Sequence, residues 1–227
     1  MKAWRKGAGL LAAGVATYLL VAAAWAWATF DEAVERAAAP ASTSLSARQI
    51  DILTRIEDPD FFAHAGVSLA NGQGFATISG AVAREVYLDG PDVGGAGALL
   101  QALYRRVFDC CKRIDLGRDV MAVVLNARLP KERQLALYAS RVYMGTHRGQ
   151  QVRGLPQAAD SYLGKPLAAL TDREFVKLAA MIKAPNLYHP ARNPAAWSIR
   201  VARIEALLSG ACRADGWFDT QLAGCAR

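Results

Sequence analysis

Strand-like alternation of apolar and polar residues is almost absent from this chain. Histidine is scarce, with three residues in 227, and the four cysteines show no metal-site spacing. No basic stripe interleaved with aromatics appears, and no zinc or RNA-recognition pattern, so nucleic-acid binding is excluded. No glutamate occurs between Glu85 and Glu132. No internal repeat or low-complexity domain is present. What remains is an alanine-rich, helix-favouring chain long enough for one sizeable domain with its own core, or one domain plus an anchor.

The N-terminus is the clearest feature. Lys2, Arg5 and Lys6 precede an uncharged run over residues 7–30. That run has about the length a helix needs to cross a bilayer, and the basic flank argues for an N-terminus inside and the bulk of the chain outside. An Ala-x-Ala pattern at Ala26-Trp27-Ala28 would suit a cleaved leader, but such a match is expected by chance here. The run exceeds the usual signal core, and Trp25 and Trp27 sit where an interfacial belt would be. The expectation is an uncleaved anchor at 1–30, a connector at 31–46 with AAAPASTS as its flexible part, a catalytic body at 47–210 and a tail at 211–227. Formal charge is +7; with three charges before the apolar run, the rest carries +4. That excess favours an anionic membrane surface or a phosphate-bearing substrate. A disulfide between Cys212 and Cys225 would close a short terminal loop outside the cytoplasm, though the sequence leaves their pairing open. The adjacent Cys110 and Cys111 yield no reading.

The body reads as all-α. Helix-spaced apolar residues run over 46–56 with Ser46 as N-cap, over 77–88, over 98–108 and over 118–129. Pro130 opens the helix KERQLALYASRVYMG. Thr171 and Glu174 form a capping box before FVKLAAMI, and residues 197–208 give the last helix. In the 98–108 segment Leu99, Leu100, Leu103, Tyr104, Val107 and Phe108 make an apolar stripe with Arg105 and Arg106 off it. A core-facing stripe is the expectation; docking on a membrane is the alternative.

One short stretch concentrates the chemistry: RIEDPDFFAHAG, residues 55–66. The ordinary account is a helix stopped by Pro59, with aromatics anchoring the loop and Glu57 capping or pairing with Arg55. The chemical account is a carboxylate held beside Phe61 and Phe62 so that it can take a proton.

These residues carry a resemblance. Glu57, Asp58, Phe61, His64 and Gly66 fill Glu-Asp-x-x-Phe-x-x-His-x-Gly. GFATISGAVARE partly fills Gly-x-Ser-Thr-Ile-Thr/Ser-Gln-Gln-x-x-Lys-Asn through Gly74, Thr77, Ile78 and Ser79, with Arg84 in place of lysine. RQLALYASRVYMG supplies Arg133, Tyr138 and Gly145 of a third segment. RGLPQAADSYLGKP and LAAMIKAPNLYHPARNP match two more, with Arg200 and Arg203 following. The chain resembles the peptidoglycan glycosyltransferases of family 51, the lysozyme-like domain of class A penicillin-binding proteins and of monofunctional transglycosylases. The resemblance covers residues 46–208 and implies a two-lobed, lysozyme-like all-α domain. It implies polymerisation of lipid II into glycan strands, with inversion and release of undecaprenyl diphosphate. It also implies a divalent cation such as magnesium, and as partners lipid II, the growing lipid-linked glycan, the cytoplasmic membrane and other cell-wall synthesis proteins. The location implied is the inner membrane, single-pass, with the catalytic domain outside the cytoplasm. With 227 residues and neither Ser-x-x-Lys nor Lys-Thr-Gly, no added transpeptidase domain is expected.

Glu57 is the candidate base. Asp58, His64, Thr77, Ser79, Arg84 and Arg118 are the candidate substrate-binding residues. Asp58 and His64 also read as loop-shaping groups, Thr77 and Ser79 as helix caps, and Arg84 as a solvated helix residue. Arg118 stands where the family carries a second glutamate. It would meet the phosphate directly and make the metal unnecessary, or it would mark lost chemistry. Asp119 is a poor substitute, because one residue on a helix turns direction by about 100°. Tyr138, Tyr162 and Lys165 read as packing residues. Two further functions stay open: a non-catalytic binder of lipid II, and a lytic enzyme of the same fold using one acid.

Overall fold

A computed structural model describes residues 2–38, 43–70, 72–73, 76–108 and 115–225. The pair Cys110–Cys111, Gly74 of the second signature and residues 39–42 of the expected connector lie outside them. The described chain is helical apart from one small β-hairpin. It divides into two compact units.

The first unit comprises residues 1–38, 65–67 and 79–129. Helix α1 (Lys2–Arg36) is unbroken, so it continues into the first six residues of the expected connector. By length and composition it can cross a membrane. Its second half presents Ala22, Ala26, Phe30 and Ala33 at helical spacing, and these are buried. The small residues let α5 (Leu116–Arg128) pack close against it. Trp25 is buried, and its indole N–H donates to the Gly97 carbonyl at 3.1 Å. Trp27 stays exposed beneath the Arg128 guanidinium, which also covers Phe30 and pairs with Asp31.

The expected 77–88 helix is two pieces, α3 (Ile78–Ala83) and a π-helical turn over Arg84–Leu88. Val82, Val86 and Tyr87 point inward, as the apolar spacing requires. Helix α4 (Gly95–Phe108) begins three residues before the expected start. Its leucine stripe does not face the core, contrary to expectation. Leu99 and Leu103 are 74% and 58% exposed, whereas Gln101 is buried. The reason is backbone satisfaction. Gln101 donates to the Tyr87 carbonyl at 2.7 Å and accepts the Val93 N–H at 3.0 Å, sealing the loop before α4.

The second unit comprises residues 39–64, 68–78 and 130–227. Helix α2 (Ala47–Glu57) has the expected cap, a reciprocal Ser46/Gln49 box. Helix α8 (Asp172–Ala179) has the Thr171/Glu174 box, and α9 runs over Pro194–Ser209. Helix α2 packs on α8 and α9. Helix α6 (Lys131–Arg141) stops earlier than the expected end at Gly145. Strands β1 (Tyr143–His147) and β2 (Gln150–Arg153) follow as an antiparallel hairpin, which the all-α reading missed. Its turn residues Arg148 and Gly149 both take positive φ, 49° and 82°, the backbone a two-residue hairpin turn needs. Helix α7 (Leu155–Leu163) comes next and packs on α6 and α8. Cys212 and Cys225 are disulfide-bonded.

Gly66 of the first signature has φ +117°, and a Cβ there would lie 2.6 Å from the Ala122 carbonyl oxygen. Only glycine meets both demands. Gly66→Ala is therefore expected to cost about 2 kcal/mol or more of stability, measured by denaturant unfolding.

Candidate active site

The site grows from the last turn of α2. Ile52, Leu53 and Ile56 are buried and fix the helix's rotation. Asp58 leaves helical geometry (φ −157°, ψ 78°) while its N–H still closes on Thr54, and Pro59 prevents continuation. Glu57 and Asp58 thus leave the helix end in different directions.

Asp58 has no exposed surface. Its Oδ2 accepts the Ile78 N–H at 2.8 Å, and its Oδ1 accepts Gln73 Nε2 at 3.1 Å. His64 Nε2 lies 3.1 and 3.0 Å from the two oxygens. This is a loop-shaping arrangement. Burial raises the Asp58 pKa, with the His64 and Ile78 bonds opposing it.

Glu57 has the opposite surroundings. Its Oε1 is sealed from solvent and has no hydrogen-bond partner among the described residues. Burial pushes its pKa above the ordinary 4.5; Lys183 and Arg200 pull it down, and Asp58 adds to the rise. Burial lowers the Lys183 ammonium in turn, with Glu57 opposing. Arg200 is buried, its guanidinium near the Tyr188 ring. The Arg55 pairing of the ordinary account is not formed. Arg55 donates to the Leu207 and Leu208 carbonyls at 3.3 and 2.9 Å. Nor do the two phenylalanines form one apolar wall. Phe61 is fully buried under Lys131 at 4.3 Å, whereas Phe62 is 56% exposed. Tyr138, expected only as packing, is within electrostatic reach of both acids, and burial drives its pKa well up.

The second unit therefore brings together Glu57, Asp58, His64 and Thr77, the last buried just before α3. Ser79, Arg84 and Arg118 belong to the first unit. Ser79 is fully buried. Arg84 pairs with Asp89 at 2.8 Å. Arg118 is buried and pairs with Asp119 at 2.7 Å. Lys183, Arg200 and Gln73 were missed as site residues. The first two had a faint signal, since they lie in or just after matched segments, but nothing local pointed them at Glu57.

No group of three His, Cys, Asp or Glu side chains is gathered among the described residues. At the place of the family's second glutamate stands a guanidinium already paired with the next acid. No step below uses a metal.

A family model described as Transglycosylase matches residues 26–208. The chain belongs to the transglycosylase family. Among curated proteins it is 33% identical to penicillin-binding protein 1B of Escherichia coli (strain K12) over 148 residues, 64% of this chain and 17% of that protein. It is 32% identical to penicillin-binding protein 1B of Vibrio cholerae over 147 residues, covering 63% and 18%. It is 31% identical to penicillin-binding protein 1A of Streptococcus oralis over 153 residues, covering 65% and 22%. The chain thus aligns with about a fifth of the length of these relatives.

The Glu57 geometry sets a stability test that needs no substrate. A carboxyl whose pKa is raised on folding favours the folded state when protonated. That contribution is full below the unfolded value of 4.5 and is lost as pH climbs through the folded value. Glu57→Gln is expected to melt higher than wild type at pH 8, the gap closing toward pH ~4. A lower melting temperature at pH 8 would contradict the burial of this group.

Proposed function

We propose that this chain is a membrane-anchored peptidoglycan glycosyltransferase that polymerises lipid II, with Glu57 as general base. The observation that carries this reading is the sealed Glu57 oxygen, without a hydrogen-bond partner among the described residues and flanked by Lys183 and Arg200, within the residues that match the transglycosylase family. The acceptor's sugar 4-hydroxyl gives its proton to the Glu57 carboxylate as its oxygen bonds to the donor's anomeric carbon. The bond from that carbon to the diphosphate breaks, the electron pair leaving with undecaprenyl diphosphate, and configuration inverts. A raised pKa makes Glu57 a better proton acceptor near neutrality. Asp58 and His64 position it by fixing the loop. Thr77 and Ser79 belong to the donor side.

Arg84 and Arg118 are the proposed diphosphate contacts. Each rests in an ion pair with a following acid, Asp89 and Asp119, and a diphosphate would compete with those carboxylates for the guanidinium fork. In this reading α1 anchors the chain, and its basic flank supports a body outside the cytoplasm. The exposed Leu99 and Leu103 of α4 suit contact with that membrane.

One observation favours a second reading. The Arg118 charge is already met by Asp119 in its own helix, as expected of a member that binds lipid II without joining it. Purified full-length protein with labelled lipid II separates the two: polymer, or bound and unchanged substrate. Under the first reading Glu57→Gln lowers the polymerisation rate about 100-fold or more, with binding retained. Polymer at the wild-type rate from that variant removes Glu57 from the role of base. Under the same reading chelator leaves the rate unchanged, whereas Arg118→Glu lowers it.

A further inference from the structure

The segment after α9 has no part in the mechanism above, yet it is tied to the candidate site from two sides. The Cys212–Cys225 disulfide spans 13 residues. Inside the closed loop the Asp219 carboxylate accepts the N–H groups of Asp215 at 3.0 Å, Ala223 at 2.7 Å and Gly224 at 3.4 Å. Burial alone would raise the Asp219 pKa; the three donors outweigh it and hold it below 3.8. The loop is cross-linked and internally bonded.

Its first outward contact is with the turn before the second signature. The Gly216 carbonyl accepts the Gly72 N–H at 2.9 Å. Gly72 has φ +80°, and a Cβ there would lie 2.8 Å from Ala214 Cβ, so the loop presses directly on this turn. The next residue, Gln73, donates to Asp58. The second contact is with α9 and the segment before it. The Thr220 carbonyl accepts from Arg200 Nη1 at 3.2 Å, and the Gln221 carbonyl from Arg203 Nη1 at 3.2 Å. The Tyr188 hydroxyl donates to Gln221 Oε1. One side of the loop thus reaches the carboxylate beside Glu57, and the other reaches one of the two cations that flank Glu57.

We propose that the disulfide-closed loop is a positioning element of the active site, so that reducing the Cys212–Cys225 bond slows catalysis by releasing the Gly72–Gln73 turn and Arg200. The proposal rests on the reading of Glu57 as the base. In the reduction a dithiol gives two electrons and two protons to the two sulfurs, leaving two cysteine thiols while the dithiol becomes a disulfide. The loop is then held to the site by hydrogen bonds alone. A disulfide that served only as a staple would constrain the unfolded chain and leave the native site unchanged.

The test compares oxidised full-length protein with Cys212→Ser/Cys225→Ser, at a temperature where both are folded. The proposal expects kcat to fall about tenfold with KM for lipid II changed less than about twofold. It also expects the acidic limb of the pH–kcat profile to move upward. Glu57 faces Lys183, Arg200, Asp58 and Tyr138; of these Arg200 bonds the loop directly and Asp58 is reached through Gln73, and it is the loss of the nearby Arg200 charge that raises the Glu57 pKa. Hydrogen exchange at the Gly72 amide should speed up about tenfold, while α8 amides keep their protection. A lower melting temperature with unchanged kcat and an unmoved acidic limb would reduce the disulfide to a staple and overturn the proposal. If wild-type protein makes no polymer, the glycosyltransfer reading fails by itself. Exchange at Gly72 then still decides, and unchanged protection overturns the positioning role.

Discussion

The Asp58 carboxylate is the interaction on which the candidate site depends. A charged group with no exposed surface is costly unless its lone pairs are met. Here a backbone N–H from Ile78, the Gln73 amide and the His64 ring meet them. Those donors come from three places in the chain, so the charge cannot be satisfied until the 58–78 segment is folded back on the end of α2. The first signature therefore does two jobs in adjacent positions. Its aspartate collects the available donors, and its glutamate is left with a sealed oxygen that none of them reaches.

That division explains why the local sequence was so informative at this point and less so elsewhere. The Glu-Asp-Pro stop, the histidine six residues after Asp58 and the glycine at positive φ are short-range requirements, so they appear as a compact motif. The caps at Ser46 and Thr171 were legible for the same reason. Lys183 and Arg200 were not. They approach Glu57 only because α2, α8 and α9 pack together, and neither has a nearby acid to advertise the contact.

The misread elements fail in an instructive way. The α4 leucines have the spacing of a buried stripe, but spacing cannot say which face is covered. Gln101 takes the inward position because the loop before α4 presents an N–H and a carbonyl that need partners, and leucine can offer none. The hairpin after α6 escaped because its strands are short and its turn carries Arg148 where asparagine or glycine is more common. In the first case a backbone hydrogen-bond demand overrode the apolar pattern.

The two arginine substitutions share a logic with the glutamate. An arginine never loses its charge, so wherever Arg84 and Arg118 are not held by substrate they must be held by something else. Each finds an acid on its own segment, Asp89 and Asp119. For Arg118, which is buried, the acid also answers the cost of desolvation. A carboxylate in that position would carry the opposite requirement, needing a cation to sit beside a diphosphate. With arginine there and aspartate next to it, the two charges offset each other. Under the proposed function, phosphate contact at this pair would be a contest between two anions for one guanidinium. Whether the substrate wins that contest is what divides a polymerase from a lipid-binding relative that has kept the fold.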